Sequence, residues 1–432
     1  MKPCSPTPSS PIRSPRALNS TQPGGFGLAA LLLIGVVAGS PRAWAHGGME
    51  TALPHSPGWQ VDAGVALSAM RSAEAWPVPR LDGVLQTGQT ATDQQGRLVL
   101  EQARVGLGTR LTPWLGAQWT VSAHDRDAPR TDTAWIEART TVADGALSLR
   151  LGRQEVPLGG VIAGAGPFDR FGQAPLAKQA TLLDGSWADD GVTLHWQQPV
   201  EQGWQSVALG WWQARAFPGG PSGPGAPSVQ ATFGWDHLSA QVFGVWLQPR
   251  DRGAVAVSSA TTGHSHGVPD CTVDLQNRVC FEGRAQVFGA ALRHDGLFDE
   301  RLSLTLAGMT RHESGTLYSD TATAQWDGRV SGVWLDAVWR AGSHWQWAAR
   351  WERLVPRHTL TGSNPSPLAN AAGLSGAAPV RRLSGALGYT WEEPGLSLWV
   401  ETGRQQGPTS DAQSWWGVRL LWQSSRFLSG VF

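Results

Sequence analysis

Trp345-Gln346-Trp347-Ala348-Ala349-Arg350-Trp351-Glu352 alternates residue by residue between two kinds of side chain. In an extended strand successive side chains point to opposite faces. Trp345, Trp347, Ala349 and Trp351 therefore share one face, and Gln346, Ala348, Arg350 and Glu352 share the other. The tryptophan face needs an apolar neighbour, and the Arg350/Glu352 face needs water or countercharge. A strand crossing a bilayer as part of a barrel meets both needs, with lipid outside and a polar lumen inside. Turning a charge inward avoids roughly 2–4 kcal/mol of cost at the lipid midplane.

The same parity extends along the chain. On 329–341, Val333, Leu335, Ala337 and Trp339 face out, with Asp336 and Arg340 inward. On 146–159, Leu147, Leu149 and Leu151 face out, leaving Arg150 and Gln154 inside. Arg104, Arg110, Glu137, Arg139, Arg382, Glu401 and Arg419 complete the predicted pore lining with Arg350 and Glu352. Segments 238–250 and 283–294 are apolar or mixed on both faces, so parity does not orient them.

Two-faced segments recur at 59–71, 97–111, 114–125, 132–141, 146–159, 186–198, 204–215, 228–235, 238–250, 283–294, 300–312, 329–341, 344–356, 381–392, 396–406 and 414–428. Short turns such as Thr112-Pro113, Asp236-His237 and Gly342-Ser343 alternate with longer connections at 72–96, 126–131, 160–185, 216–227, 251–282, 313–328, 357–380 and 407–413. That order places both ends on the short-turn side and makes the strand count even. The expected fold is all-β: a transmembrane antiparallel barrel of about 16 strands, with short periplasmic turns and long extracellular loops. Eighteen strands stay open through Leu81 to Gly88, and a soluble sandwich or propeller is the competing architecture.

The chain's beginning reads as an export signal over 1–45. Lys2, Arg13 and Arg16 precede an apolar run from Phe26 to Ala38, and Ala43-Trp44-Ala45 supplies a small-x-small cleavage site. The apolar run falls short of the roughly 20 residues that span a bilayer as a helix. Residues 46–58 are expected to be a flexible periplasmic tail, and 59–432 the barrel. The aromatic terminal residue, Phe432, resembles the assembly signal of bacterial outer-membrane barrels, so the expected location is that membrane. Tryptophan is abundant, with 24 residues against 2 Tyr, as interfacial aromatic girdles require. A formal net charge of zero gives no reason to expect a nucleic-acid partner.

Two long connections carry candidate chemistry. Segment 160–185 follows the fifth strand and is unusually apolar for a loop, which suggests packing against protein. Asp169, Arg170 and Lys178 would then form a constriction inside the barrel; the alternative is a loop folded over the rim. Segment 251–282 holds Cys271 and Cys280, expected to be disulfide-bonded in an exported protein. It also holds His264, His266 and Asp270, whose N and O donors suit a zinc or copper ion. No other cofactor is expected. His195, His294, His312 and His344 lie apart without a partnered nucleophile motif, so no enzyme activity is expected.

Leu149-Arg150-Leu151-Gly152-Arg153-Gln154-Glu155-Val156-Pro157-Leu158-Gly159-Gly160, with Leu183-Asp184-Gly185 and Asp190-Gly191-Val192-Thr193-Leu194 later, resembles segments of the alginate-export and related anion-selective porin families. The resemblance covers about a tenth of the chain and omits the Lys-rich constriction of phosphate-selective porins. It implies a monomeric or homotrimeric channel for anionic solutes. By parity, Arg exceeds Asp plus Glu on the lumen side, which supports passive diffusion of small, anion-leaning solutes; the alternative is that these arginines pair with Glu137, Asp336, Glu352 and Glu401 into neutral networks. The alternative is zinc binding or uptake through the His-containing loop. Expected surroundings are outer-membrane lipid and lipopolysaccharide.

Overall fold

The computed structural model describes residues 52–73, 76, 81, 83–85, 96–124, 128–158, 166–182, 187–255, 270–272, 275, 278–362, 365–374, 376–393, 395–407 and 412–432. The expected signal, 1–45, lies outside them.

Alternation produces strands over almost the whole described chain. In order they are β1 Gly58–Ser72, β2 Leu98–Thr112, β3 Leu115–Ala123, β4 Arg130–Val142, β5 Gly145–Glu155, β6 Ala188–Val200, β7 Gly203–Trp212, β8 Ala226–Trp235 and β9 Leu238–Leu247. They continue as β10 Arg252–Val255, β11 Arg278–Gly296, β12 Leu302–Tyr318, β13 Thr323–Ala341, β14 Trp345–Thr361, β15 Val380–Trp391, β16 Leu396–Gln406 and β17 Gln413–Val431. Each pairs antiparallel with its sequence neighbour, except that β9 passes over the short β10 to pair with β11. β1 pairs with both β2 and β17, which closes a sixteen-stranded barrel and leaves no long edge.

Lipid-facing positions are exposed and apolar, as parity predicts: Leu149, Leu151, Val333, Leu335, Trp347, Trp351, Leu383 and Val400. The two segments that parity left open are also oriented. Phe243, Val245 and Leu247 point inward, as do Ala285, Val287 and Ala291, while Val242, Trp246, Phe288 and Leu292 point out. Both faces were apolar because the inner one packs against Ala177 and Leu182 of the loop after β5. Nor is tryptophan confined to the outer girdles: Trp135, Trp212, Trp334, Trp399 and Trp415 are buried inside.

Two expectations need correction. The connection expected at 313–328 is mostly strand, with Glu313 opposite Gly328 and Tyr318 opposite Thr323. The connection expected at 251–282 opens with β10, which lies against the start of β11. The reason is physical. Past the apolar belt the pattern changes sense: Ser314, Thr316, Gln325 and Asp327 share the outward face, and Leu317, Ala324 and Trp326 are buried inside. There they meet α1 (Pro365–Ala372) and Leu85, so strands that outrun the membrane read as loop. Leu81, Val84 and Leu85, proposed as an extra strand, are not strand; they are buried against β13, β14 and α1 residues.

Candidate functional site

The loop after β5 does not fold back over the rim. Its described part, 166–182, crosses the barrel interior and is held on the opposite wall by buried side chains of β14 to β17. Glu352 accepts a hydrogen bond from the Leu176 amide at 2.5 Å, and Glu401 accepts one from the Gly172 amide at 2.7 Å. Arg350 donates to the Gln173 carbonyl at 3.2 Å, and Arg382 to Gln173 Oε1 at 2.6 Å and to the Ala174 carbonyl at 2.5 Å. Arg419 donates to the Asp169 carbonyl at 2.9 Å and to the Pro167 carbonyl. Phe171 sits in an apolar seat made by Ala66, Val338, Ala348, Ala386, Trp399 and Leu421. A short helix, α2 (Leu176–Thr181), then lies along β12 to β14.

The predicted inward residues fall into distinct groups. On β14 to β17, Arg382 and Glu352 pair at 2.7 Å, both about 1% exposed. Arg350 pairs with Asp336 at 2.7 Å and reaches Asp169 of the loop at 3.5 Å. Arg419 pairs with Glu101 at 3.0 Å, close to Glu401. Across the barrel, Glu137 accepts from both Arg110 at 3.1 Å and Arg150 at 2.9 Å. The Arg150 guanidinium also lies 4.3 Å from the Trp135 ring centroid, within cation–π range. Arg104 pairs with Asp62 at 3.2 Å, and buried Gln154 reaches the Gly191 carbonyl at 3.5 Å. Arg139 and Arg340 share the inward parity but sit at the short-turn rim, donating to the carbonyls of Pro113 and Glu300.

Of the proposed loop residues, Asp169 faces both Arg350 and Lys178, while Arg170 follows in the turn. Lys178 is 1% exposed, and its Nζ has no hydrogen-bond partner. It belongs to the loop helix, and burial pushes its ammonium down to about 7, partly opposed by Asp169.

Parity missed part of the charge balance. Asp62 was readable, because Gln60, Asp62 and Gly64 alternate inward on β1. Glu101 was not: Ala66 pairs with Gln102 and Leu67 with Leu100, so Glu101 is the extra residue of a β-bulge and its carboxylate turns to Arg419. Arg252, Arg311 and Glu313 form a further buried cluster at the long-loop end, with Arg252 and Glu313 2.7 Å apart. The inner wall is thus charged on β1 to β5 and β13 to β17. Between them, below the Arg252–Arg311–Glu313 cluster, β9, β11 and β12 present an apolar patch where Phe243, Val245, Ala285, Val287 and Met309 pack with the loop.

The described end of the tail is bound inside the barrel mouth. Gln60 donates to the Ala52 carbonyl at 2.5 Å, Arg110 to Pro54 at 3.3 Å and Arg139 to His55 at 3.3 Å. Cys271, in the connection after β10, is joined by a disulfide to Cys280 on β11. Asp270 Oδ1 accepts from the Thr272 amide and hydroxyl, at 2.9 and 2.6 Å. His264 and His266 lie outside the described residues.

No protein-family model matches the chain, and no curated protein does. Solved structures do. OmpT of Vibrio cholerae, an outer membrane protein in its trimer form, superposes with a TM-score of 0.51 at 10% identity, over 85% of this chain and 100% of that one. OmpF of Salmonella typhi, in complex with daunomycin, gives 0.50 at 10% identity, over 87% and 100%. The outer membrane channel DcaP of Acinetobacter baumannii gives the same figures, 0.50, 10%, 87% and 100%. At such identities the likeness concerns the fold, which is that of a porin-like outer-membrane barrel.

Proposed function

We propose that the chain is a porin-type channel of the bacterial outer membrane, passing small solutes by diffusion past a constriction made by the loop 166–182. The observation that carries this reading is the anchoring of that loop across the barrel by Glu352, Arg382, Glu401 and Arg419. A sixteen-stranded wall leaves an aqueous interior unless something narrows it, and a loop fixed at many points narrows it reproducibly.

The proposed preference is for anions, and it rests on fewer groups than an arginine count implies. Most lumen guanidinium groups are matched by carboxylates, so they contribute little net field. Arg110 and Arg150 share the Glu137 carboxylate, as the buried Arg252 and Arg311 share Glu313, but here the Arg150 side chain keeps 31% of its exposure. An exposed, fixed guanidinium raises the local concentration of carboxylates and phosphates. The trimeric OmpT form favours a homotrimer over a monomer for this chain.

A channel also accommodates the histidines better than an enzyme does. His294 stacks with His237, His312 faces Asp327 on the outer wall, and His344 stacks with Tyr389. Reversal potential in a planar bilayer under a salt gradient tests the proposal. An anion-side potential is expected, and a cation-side potential overturns the preference.

A further inference from the structure

The lipid-facing wall of β11 to β14 contains a groove of about 540 Å³. Its floor is mostly apolar, made by Phe288, Ala290, Gly308, Val333 and Val355, and its two hydroxyls, Thr310 and Ser331, bond to each other at 2.9 Å. Gly308 keeps the floor deep, since a Cβ there would press on Val333 at 3.2 Å. Arg329 and Arg353 stand at its margin.

These arginines belong to a larger outward cluster. Arg329 lies directly opposite Arg357, and Arg353 directly opposite Arg381. Arg404 follows on β16, opposite Leu383. All five are exposed, and none is ion-paired with another described residue. Asp327, two residues above Arg329, sits 3.4 Å from His312 instead. Like charges placed directly across a sheet destabilise it, and two such pairs side by side require countercharge from outside the protein.

Their height identifies where that countercharge comes from. Trp339 and Trp347 are cross-strand partners on the outer face near the short-turn rim. An apolar band about 25 Å tall, crossed by strands tilted about 40° and rising about 3.3 Å per residue, spans roughly ten residues. Ten residues from Trp339 along β13 is Arg329; ten from Trp347 along β14 is Arg357. On β15, Arg381 is likewise ten residues from exposed Trp391, so Arg329, Arg357 and Arg381 stand at the outer-leaflet interface; Arg353, six residues from Trp347 and opposite Val333, stands lower, beside the groove that opens into the hydrocarbon.

We infer that this wall is a binding site for lipopolysaccharide: lipid A phosphates are held by Arg329, Arg353, Arg357 and Arg381, and one acyl chain lies in the groove over Gly308. Guanidinium forks suit phosphate bidentately, and apolar groove plus basic margin match an anionic amphiphile. The site is on the outside of the barrel and does not depend on what the lumen conducts.

The test is binding of bisphosphorylated lipid A to the purified full chain in a zwitterionic detergent, followed by tryptophan fluorescence and thermal unfolding. Lipid A is expected to bind and to raise the unfolding temperature. Dephosphorylated lipid A is expected to bind far more weakly, and inorganic phosphate alone to have no effect. Arg329→Gln with Arg353→Gln should weaken lipid A binding about thirtyfold, the loss expected from two interfacial charges. Ala290→Trp, which fills the groove and leaves the charges, should weaken it as well; this second variant serves if the double variant does not fold. Equal binding of phosphorylated and dephosphorylated lipid A, or unchanged affinity in these variants, overturns the inference. So does a change of oligomeric state in the arginine variant without a change in lipid A affinity, which would make the wall a contact between copies.

Discussion

Removing Glu352 tests how the inner loop is held. Its carboxylate accepts from Arg382 at 2.7 and 3.0 Å and from the Leu176 amide at 2.5 Å, in a site about 1% exposed. Glu352→Ala leaves a buried guanidinium without its partner, a change that costs about 3–5 kcal/mol. The segment keeps its other anchors to Glu401, Arg350 and Arg419, so the loss falls on α2 and its approach rather than on the barrel. A shift of that size moves a loop from essentially always seated to unseated for an appreciable fraction of the time. Single-channel recording should therefore give a larger, noisier current, while the folded barrel persists on unheated gels. Glu352→Leu combined with Arg382→Leu removes both charges and should recover most of the quiet behaviour, because a well-packed apolar pair replaces a buried ion pair at little cost. A current from Glu352→Ala with unchanged size and noise would refute the idea that this carboxylate seats the loop.

Three further outcomes are expected. Arg150→Glu reverses the charge of the most exposed member of the Arg110–Glu137–Arg150 group and should move the anion-to-cation permeability ratio about fivefold toward cations per unit charge changed, read as a shift in reversal potential. Lys178 titrates at about 7 when folded and near 10.5 when unfolded, so the unfolded chain binds more protons between those values and stability should rise with pH across that window; Lys178→Met should flatten the rise in unfolding temperature. Cys271→Ser with Cys280→Ser opens a loop with a sequence separation of 9 and should cost about 2–3 kcal/mol of local order, seen as faster proteolysis of that connection, with conductance unchanged.

Much of the barrel was legible because lipid enforces a simple rule on every strand that meets it. Trp347 and Trp351 against Arg350 and Glu352 is enough to orient β14, and the same rule orients β5 and β13. Legibility ended wherever the surroundings changed. Above the belt, Ser314 and Thr316 face out while Leu317 faces in, so strand resembled loop. On β9 and β11 the lumen face is apolar because it packs on the inner loop, and parity lost its contrast. The charge balance failed for a third reason. Glu101 reaches the lumen through a bulge, which a period-2 reading cannot register, and its absence from the tally, with that of Asp62, enlarged the apparent arginine excess. The partners of the inner loop are far apart in sequence, as with Arg419 and the Asp169 carbonyl, and nothing local to either announces the other.

The most direct test of the account is the single-channel current of the purified full chain in a planar bilayer, compared with that of Glu352→Ala. A channel narrowed by an anchored loop predicts a steady, ohmic conductance that becomes larger and flickers when Glu352 is removed. No conductance from protein that is demonstrably folded and inserted, with or without Glu352, would contradict it.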